Sequence, residues 1–192
     1  MTIDSSSRAI LLLAVALGCA GCPAMAITTA ATTVAGATAD DRSYEQQVDD
    51  EETKGSIEKT LLSNGPSLAA DVDVYDGRVM LTGSVTRESQ RRDAVSLARS
   101  AANPTTLYDD IQVVPPGGGS ATGSGFVENK DLGARLLAAD GIGSQSFQHR
   151  VVNGVAYILG EAHHEQQIEI ARQTALGTAG VNDVVTHIEL RR

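Results

Sequence analysis

The chain has 192 residues with no Trp, two Phe and four Tyr, so any core must be built from Val, Ile, Leu and Ala. The net charge is −9: residues 49–114 carry 12 acids and 7 bases, and residues 126–192 carry 8 acids and 6 bases. No segment is a basic stripe, which excludes the electrostatic footprint of nucleic-acid binding and argues against purely charge-driven docking on anionic lipid.

Ile10 to Leu17 form a short apolar run behind Arg8. A bilayer span needs about 20 such residues, so the run reads as the apolar part of an export signal. Val15-Ala16-Leu17-Gly18-Cys19 follows and resembles a bacterial lipobox, whose cysteine is lipidated and becomes the new N-terminus. Cys19 is the preferred site, and Cys22, behind Ala20-Gly21, is the alternative. An ordinary cleavage near Ala24-Met25-Ala26 is the remaining reading. These are the only two cysteines, so the rest of the chain has neither a disulfide nor a cysteine metal site. The expected organisation is a signal over 1–18 and a lipidated start with a flexible Ala/Thr-rich, then acidic, tether over 19–48.

Beyond the tether the chain repeats itself. Asp76-Gly77-Arg78-Val79-Met80-Leu81-Thr82-Gly83 matches Asn153-Gly154-Val155-Ala156-Tyr157-Ile158-Leu159-Gly160 at an offset of 77 residues. The same offset places Ala94, Ala98, Ala102 and Ile111 on Ala171, Ala175, Ala179 and Ile188. A fixed-period repeat implies one supersecondary unit used twice. Ile57, Leu61 and Leu62 predict a first helix over 51–62. Leu132, Leu136 and Leu137 predict its counterpart over 127–138, all three facing the core. Val72 and Val74, then Val79, Leu81 and Val85, alternate on either side of Asp76-Gly77 and predict a hairpin. Asn153-Gly154 does the same in copy two, because such a turn needs φ > 0. Gly77, Gly83, Gly154 and Gly160 are read as structural, for turns and close packing. Spaced alanines predict second helices over 87–102 and 164–179, followed by strands over 107–114 and 183–190.

Each copy is therefore expected to be an α/β (α+β) module of order αββαβ, a three-stranded mixed sheet with two helices on one face. The modules are placed at 49–114 and 126–192, joined by a Pro/Gly/Ser linker over 115–125.

Gly-x-Val-x-Leu-x-Gly, a helix with spaced alanines, and then Gly180-Val181-Asn182-Asp183-Val184 resemble the BON domain family. Copy one has Asn103-Pro104 where Gly-Val is expected, which weakens the start of its third strand. Asp41-Arg42-Ser43 and Gln47-Val48-Asp49-Asp50 resemble the segment before the first module in double-BON outer-membrane lipoproteins. The resemblance implies a periplasmic, non-enzymatic protein anchored to the outer membrane, related to osmotically inducible proteins and supporting envelope integrity. It implies phospholipid contact on the first helix of module two, with Phe126 or Val127 among acyl chains and Lys130 and Arg135 at phosphate. The alternative is a periplasmic scaffold docking on an envelope protein through the sheet faces opposite the helices, at Met80, Thr82 and Tyr157.

No constellation in the sequence supports an enzyme. His163-His164-Glu165 begins like a zinc motif, but Ile168 stands where the second ligand must be. His149 and His187 read as exposed strand histidines, and Asp49-Asp50-Glu51-Glu52 as a solvated helix start. No cofactor, metal or nucleic-acid partner is expected.

Overall fold

In a computed structural model, the described residues are 42–65, 70–115, 125–142 and 147–191, with side chains from 129 onward in the third helix. Cys19, Cys22 and the rest of the signal and tether up to Asp41, together with linker residues 116–124, lie outside them.

Module one runs α1 (Tyr44–Ser63), β1 (Asp71–Tyr75), β2 (Arg78–Val85), α2 (Glu88–Ala102) and β3 (Thr106–Val113). Module two runs α3 (Gly125–Ala138), β4 (Phe147–Val152), β5 (Val155–Ala162), α4 (Glu165–Leu176) and β6 (Asp183–Leu190). Each sheet has its second strand in the middle, in orders β1-β2-β3 and β4-β5-β6. The hairpin pair is antiparallel and the crossover pair parallel. The αββαβ order and mixed sheets are those expected from the sequence.

The hairpins turn where Asp-Gly and Asn-Gly stand. Asp76 and Gly77 have φ of 51° and 69°, and Asn153 and Gly154 have 49° and 79°. A Cβ on Gly154 would lie 2.5 Å from Asn182 Nδ2. Gly83 is also left-handed, at φ 121°. Gly160 has an ordinary φ and lies within β5, where its carbonyl accepts a bond from Arg78 Nη2 (3.0 Å).

Helices cover one face of each sheet. In module one, Ile57 and Leu61 of α1 and Ala94 and Ala98 of α2 pack on Val72, Val79, Leu81 and Ile111. In module two, Leu132, Leu136, Ala171 and Ala175 pack on Val151, Ala156 and Ile158. The small alanines let each second helix lie close to its sheet.

The opposite faces of the two sheets are buried against each other. Tyr75 and Met80 from module one meet Val152, Tyr157 and Leu159 from module two, with Tyr108, Val155 and Val185 around them. The two modules are thus layered helix, sheet, sheet, helix. Thr82 is also fully buried. The faces expected to dock a partner through Met80, Thr82 and Tyr157 are therefore consumed within the chain.

Several local expectations change. α1 starts at Tyr44, not 51, so the last residues of the expected tether are helical. Ser43 caps it: its Oγ accepts from Gln46 N–H (3.2 Å) while Gln46 Oε1 accepts from Ser43 N–H (2.8 Å), a reciprocal capping box. Asp50 is not a solvated helix start but a buried mid-helix carboxylate. It accepts from the Asp76 and Gly77 amides, both at 2.8 Å, and from Arg42 at 2.6 Å. The segment before module one thereby ties down the hairpin turn. Leu137 is not core: it is 66% exposed, as is its counterpart Leu62 at 65%.

Asn103, expected to weaken β3, does not. It takes the left-handed conformation (φ 44°) that Gly180 takes in copy two (φ 85°), which Asn tolerates better than most residues. β3 then pairs with β2 over all eight residues, as β6 does with β5.

Candidate functional site

α3 is held on module two by its inner side. Leu132 and Leu136 are buried. The Asn129 side-chain oxygen accepts from the Val151 amide, and its backbone carbonyl lies 3.2 Å from His149 Nε2. Gly133 leaves room for that imidazole: a Cβ there would sit 2.9 Å from Nε2. His149 stands where copy one has Val72 and is half-buried rather than exposed. Burial pushes its pKa below the usual 6.5 despite the Asn129 carbonyl and the nearby Asp73. His149 is accordingly neutral at pH 7 and donates Nε2–H to Asn129.

The outer side of α3 carries Lys130, Ala134 and Leu137, at i, i+4 and i+7, with Arg135 and Ala138 beside them, all exposed. Arg135 donates to Asp131 at 2.9 Å. This pair is solvent-exposed on both sides, and such a pair is worth little, so it leaves the guanidinium exchangeable. Phe126 and Val127 lie in the first turn of α3, and their side chains lie outside the described residues. No helix among the described residues is long and apolar enough to cross a membrane.

The second feature is the seam between the sheets, which sequence reasoning did not find. Arg150 grips Asp73 through two bonds of 3.1 and 2.7 Å. Desolvation acts to lower the Arg150 pKa, but the carboxylates around it, Asp73 above all with Asp71 and Glu58, together outweigh it, and the net shift is upward. His187 Nε2 is 2.7 Å from Asp110, and its ring stacks on Tyr108 with centroids 3.9 Å apart. Arg78, buried, donates to the Gly160 carbonyl (3.0 Å) and approaches Glu189 (3.4 Å). Gln112 donates to the Val152 carbonyl (3.1 Å) and Tyr157 hydroxyl (2.9 Å), and accepts from Asn153 (2.9 Å). His187 is therefore a seam residue, not an exposed strand histidine. The overlooked signal was in the repeat itself: at the 77-residue offset, Asp73 aligns with Arg150 and Asp110 with His187, each a complementary pair.

His163 and His164 precede α4 and belong to its cap, where Gln167 Oε1 accepts both backbone amides (2.7 and 3.2 Å). Among the described residues no cluster of three His, Cys, Asp or Glu side chains is placed to hold a metal. The arrangement combines an exposed side of α3, carrying Lys130, Arg135 and Leu137, with a buried, hydrogen-bonded seam that joins the two sheets.

Comparison with known proteins agrees with the repeat. The chain is 25% identical over 145 residues to an uncharacterized protein in the gshII 5′ region of Anaplasma centrale, covering 75% of this chain and 96% of that protein. It is 23% identical over 148 residues to osmotically-inducible protein Y of Escherichia coli (strain K12), covering 75% of this chain and 74% of that one. Among solved structures, CdsD, a structural protein of the type III secretion system of Chlamydia trachomatis, is similar at 16% identity over 74% of this chain and 63% of its own. The TM-score there is 0.31, too low to bear on the fold. The BON domain profile matches twice, over residues 49–115 and 129–192. Those two stretches are the two modules described above, and the chain belongs to the BON domain family.

Proposed function

We propose that this is a non-enzymatic protein of the bacterial envelope that meets phospholipid through the outer face of α3 and supports outer-membrane integrity. In this reading the export signal delivers it to the periplasm, and Cys19, or failing that Cys22, anchors it to the outer membrane. Lys130 and Arg135 meet lipid phosphate, and Phe126 and Val127 enter the acyl boundary. The relationship to an osmotically-inducible protein fits an envelope role.

The observation that carries the proposal is the exposure of Leu137. α3 buries Leu132 and Leu136 but leaves this large apolar side chain in solvent beside Lys130 and Ala134. A short helix with an apolar and basic outer side lies in an interface plane rather than crossing it. Leu137, read from sequence as core, joins the contact face. Each contribution is small, so binding is weak in isolation and made effective by the anchor, which raises the local concentration of lipid.

Co-sedimentation of residues 42–192 with phosphatidylethanolamine–phosphatidylglycerol vesicles tests this. Binding at low salt is expected, reduced by Leu137→Asp and by Lys130→Glu with Arg135→Glu. Absence of wild-type binding at low salt, or indifference to all these changes, rejects it.

A further inference from the structure

The two modules treat the outer edge of the crossover strand differently. Both β3 and β6 end their sheets, and each pairs on one side only among the described residues. In a parallel ladder, alternate residues turn their amide and carbonyl away from the neighbour. Asp183 and Arg191 donate to the Gly154 and Ala162 carbonyls of the β5 side. Thr186, Ile188 and Leu190 therefore direct their backbone groups outward. Val114 donates to Val85, so in module one the outward residues are Leu107, Asp109 and Ile111.

Module one closes this edge. The Asp109 carboxylate accepts from the outward amide of Ile111 (3.4 Å) and is held by Arg91 of α2 (3.0 Å). An inward-pointing charge on an edge strand is a recurrent guard against strand addition. In module two, Thr186 stands at the position of Asp109 and Ile168 at that of Arg91. The guard is gone. In its place a groove of about 1180 Å³ opens between β6 and the start of α4, with Ile168, Ile188 and Leu190 among its lining. Its remaining lining residues are Glu161, Glu165, Glu169, Glu189 and Arg191. Arg191 approaches Glu161 (3.4 Å), while Arg172 and Arg78 reach Glu169 and Glu189 from outside the groove. The balance of these charges is negative.

We infer that the outer edge of β6 takes up an extended segment of another polypeptide as an added strand. That segment alternates apolar with basic side chains. The outward backbone groups of Thr186, Ile188 and Leu190 supply the hydrogen bonds, and the floor takes the apolar side chains. The net negative rim, with Glu165 foremost, favours the basic ones. This docking edge is distinct from the α3 face and stands whether or not α3 meets lipid.

The test uses residues 42–192 and two short synthetic peptides, one alternating Val with Lys and one alternating Val with Glu. Backbone chemical shifts should move at 184–190 and 165–169 on adding the Lys peptide, and stay still with the Glu peptide. The double variant I168R and T186D rebuilds the guard that module one already carries. It should melt like the parent and bind about tenfold more weakly. Glu165→Lys should weaken the Lys peptide without affecting folding. Shifts centred on α3, equal binding of both peptides, no binding, or an unaffected double variant would each overturn the inference. Concentration-dependent dimerisation abolished by the double variant would overturn it too, since β6 would then serve a second copy of the chain.

Discussion

Asp73 and Arg150 occupy the same position in the two copies of the repeat, 77 residues apart, and they bond to each other. Asp110 and His187, also 77 apart, do the same. A residue touches its own counterpart only where it lies near a two-fold axis. The axis relating the modules therefore passes by both pairs, between the sheets and across the strands.

The Asp73 side chain is 5% exposed and that of Arg150 26%. Arg150→Ala leaves a buried carboxylate unpaired and is expected to cost about 3 kcal/mol in urea unfolding. Replacing both residues together by Val and Leu should cost much less, because no charge is then stranded. Equal losses from the single and double changes would show that the pair carries nothing specific.

Thr82 Oγ1 is buried in the seam with no hydrogen-bond partner. The counterpart in copy two is Leu159, which packs there as an apolar residue. Thr82→Val keeps the shape and removes the stranded hydroxyl, so it should raise stability by about 1 kcal/mol. Thermal unfolding of the two proteins decides this.

His149 titrates with a lowered pKa because it is buried. The unfolded chain takes up its proton near pH 6.5, whereas the folded chain resists until a lower pH. The stability it allows is fully present above about pH 6.5 and is lost as pH falls from there toward the folded value. Acidification from pH 7 to pH 5 should lower the melting temperature. His149→Val, the residue type copy one has at Val72, should flatten that dependence. An unchanged slope in the variant would locate the acid sensitivity elsewhere.

Gly55 and Gly154 should respond oppositely to alanine. Gly55 lies inside α1 with open space where a Cβ would go, so Gly55→Ala should stabilise by about 0.5–1 kcal/mol. Gly154 has φ 79° and no room beside Asn182. Gly154→Ala should destabilise by about 1–2 kcal/mol or more. Calorimetry on both variants checks the contrast.

The sequence made the modules legible where local chemistry is strong. Asp76-Gly77 and Asn153-Gly154 announced the hairpins, and alanines every fourth residue announced the second helices. The first two turns of α1 were illegible because they carry no apolar periodicity: Tyr44 is 80% and Val48 37% exposed. What holds that stretch is polar, namely the Ser43 cap and the buried Arg42–Asp50 pair. The sheet-to-sheet seam was missed for a different reason. Val79-Met80-Leu81 and Ala156-Tyr157-Ile158-Leu159 are unbroken apolar runs, the mark of strands covered on both faces, yet alternation alone assigns only every second residue of them to a core. On α3, helical spacing grouped Leu137 with Leu132 and Leu136, while the structure puts it on the outer side of the helix.

Back-to-back sheets leave the two helical layers facing in opposite directions. If α3 rests on a bilayer, α1 and α2 look away from it, across sheets spaced about 10 Å apart. The copies cannot press the same leaflet together, however alike their folds. Each outer layer can therefore suit a different surface, one a lipid face and the other whatever stands opposite it. The repeated module then acts as a two-sided spacer with a top and a bottom.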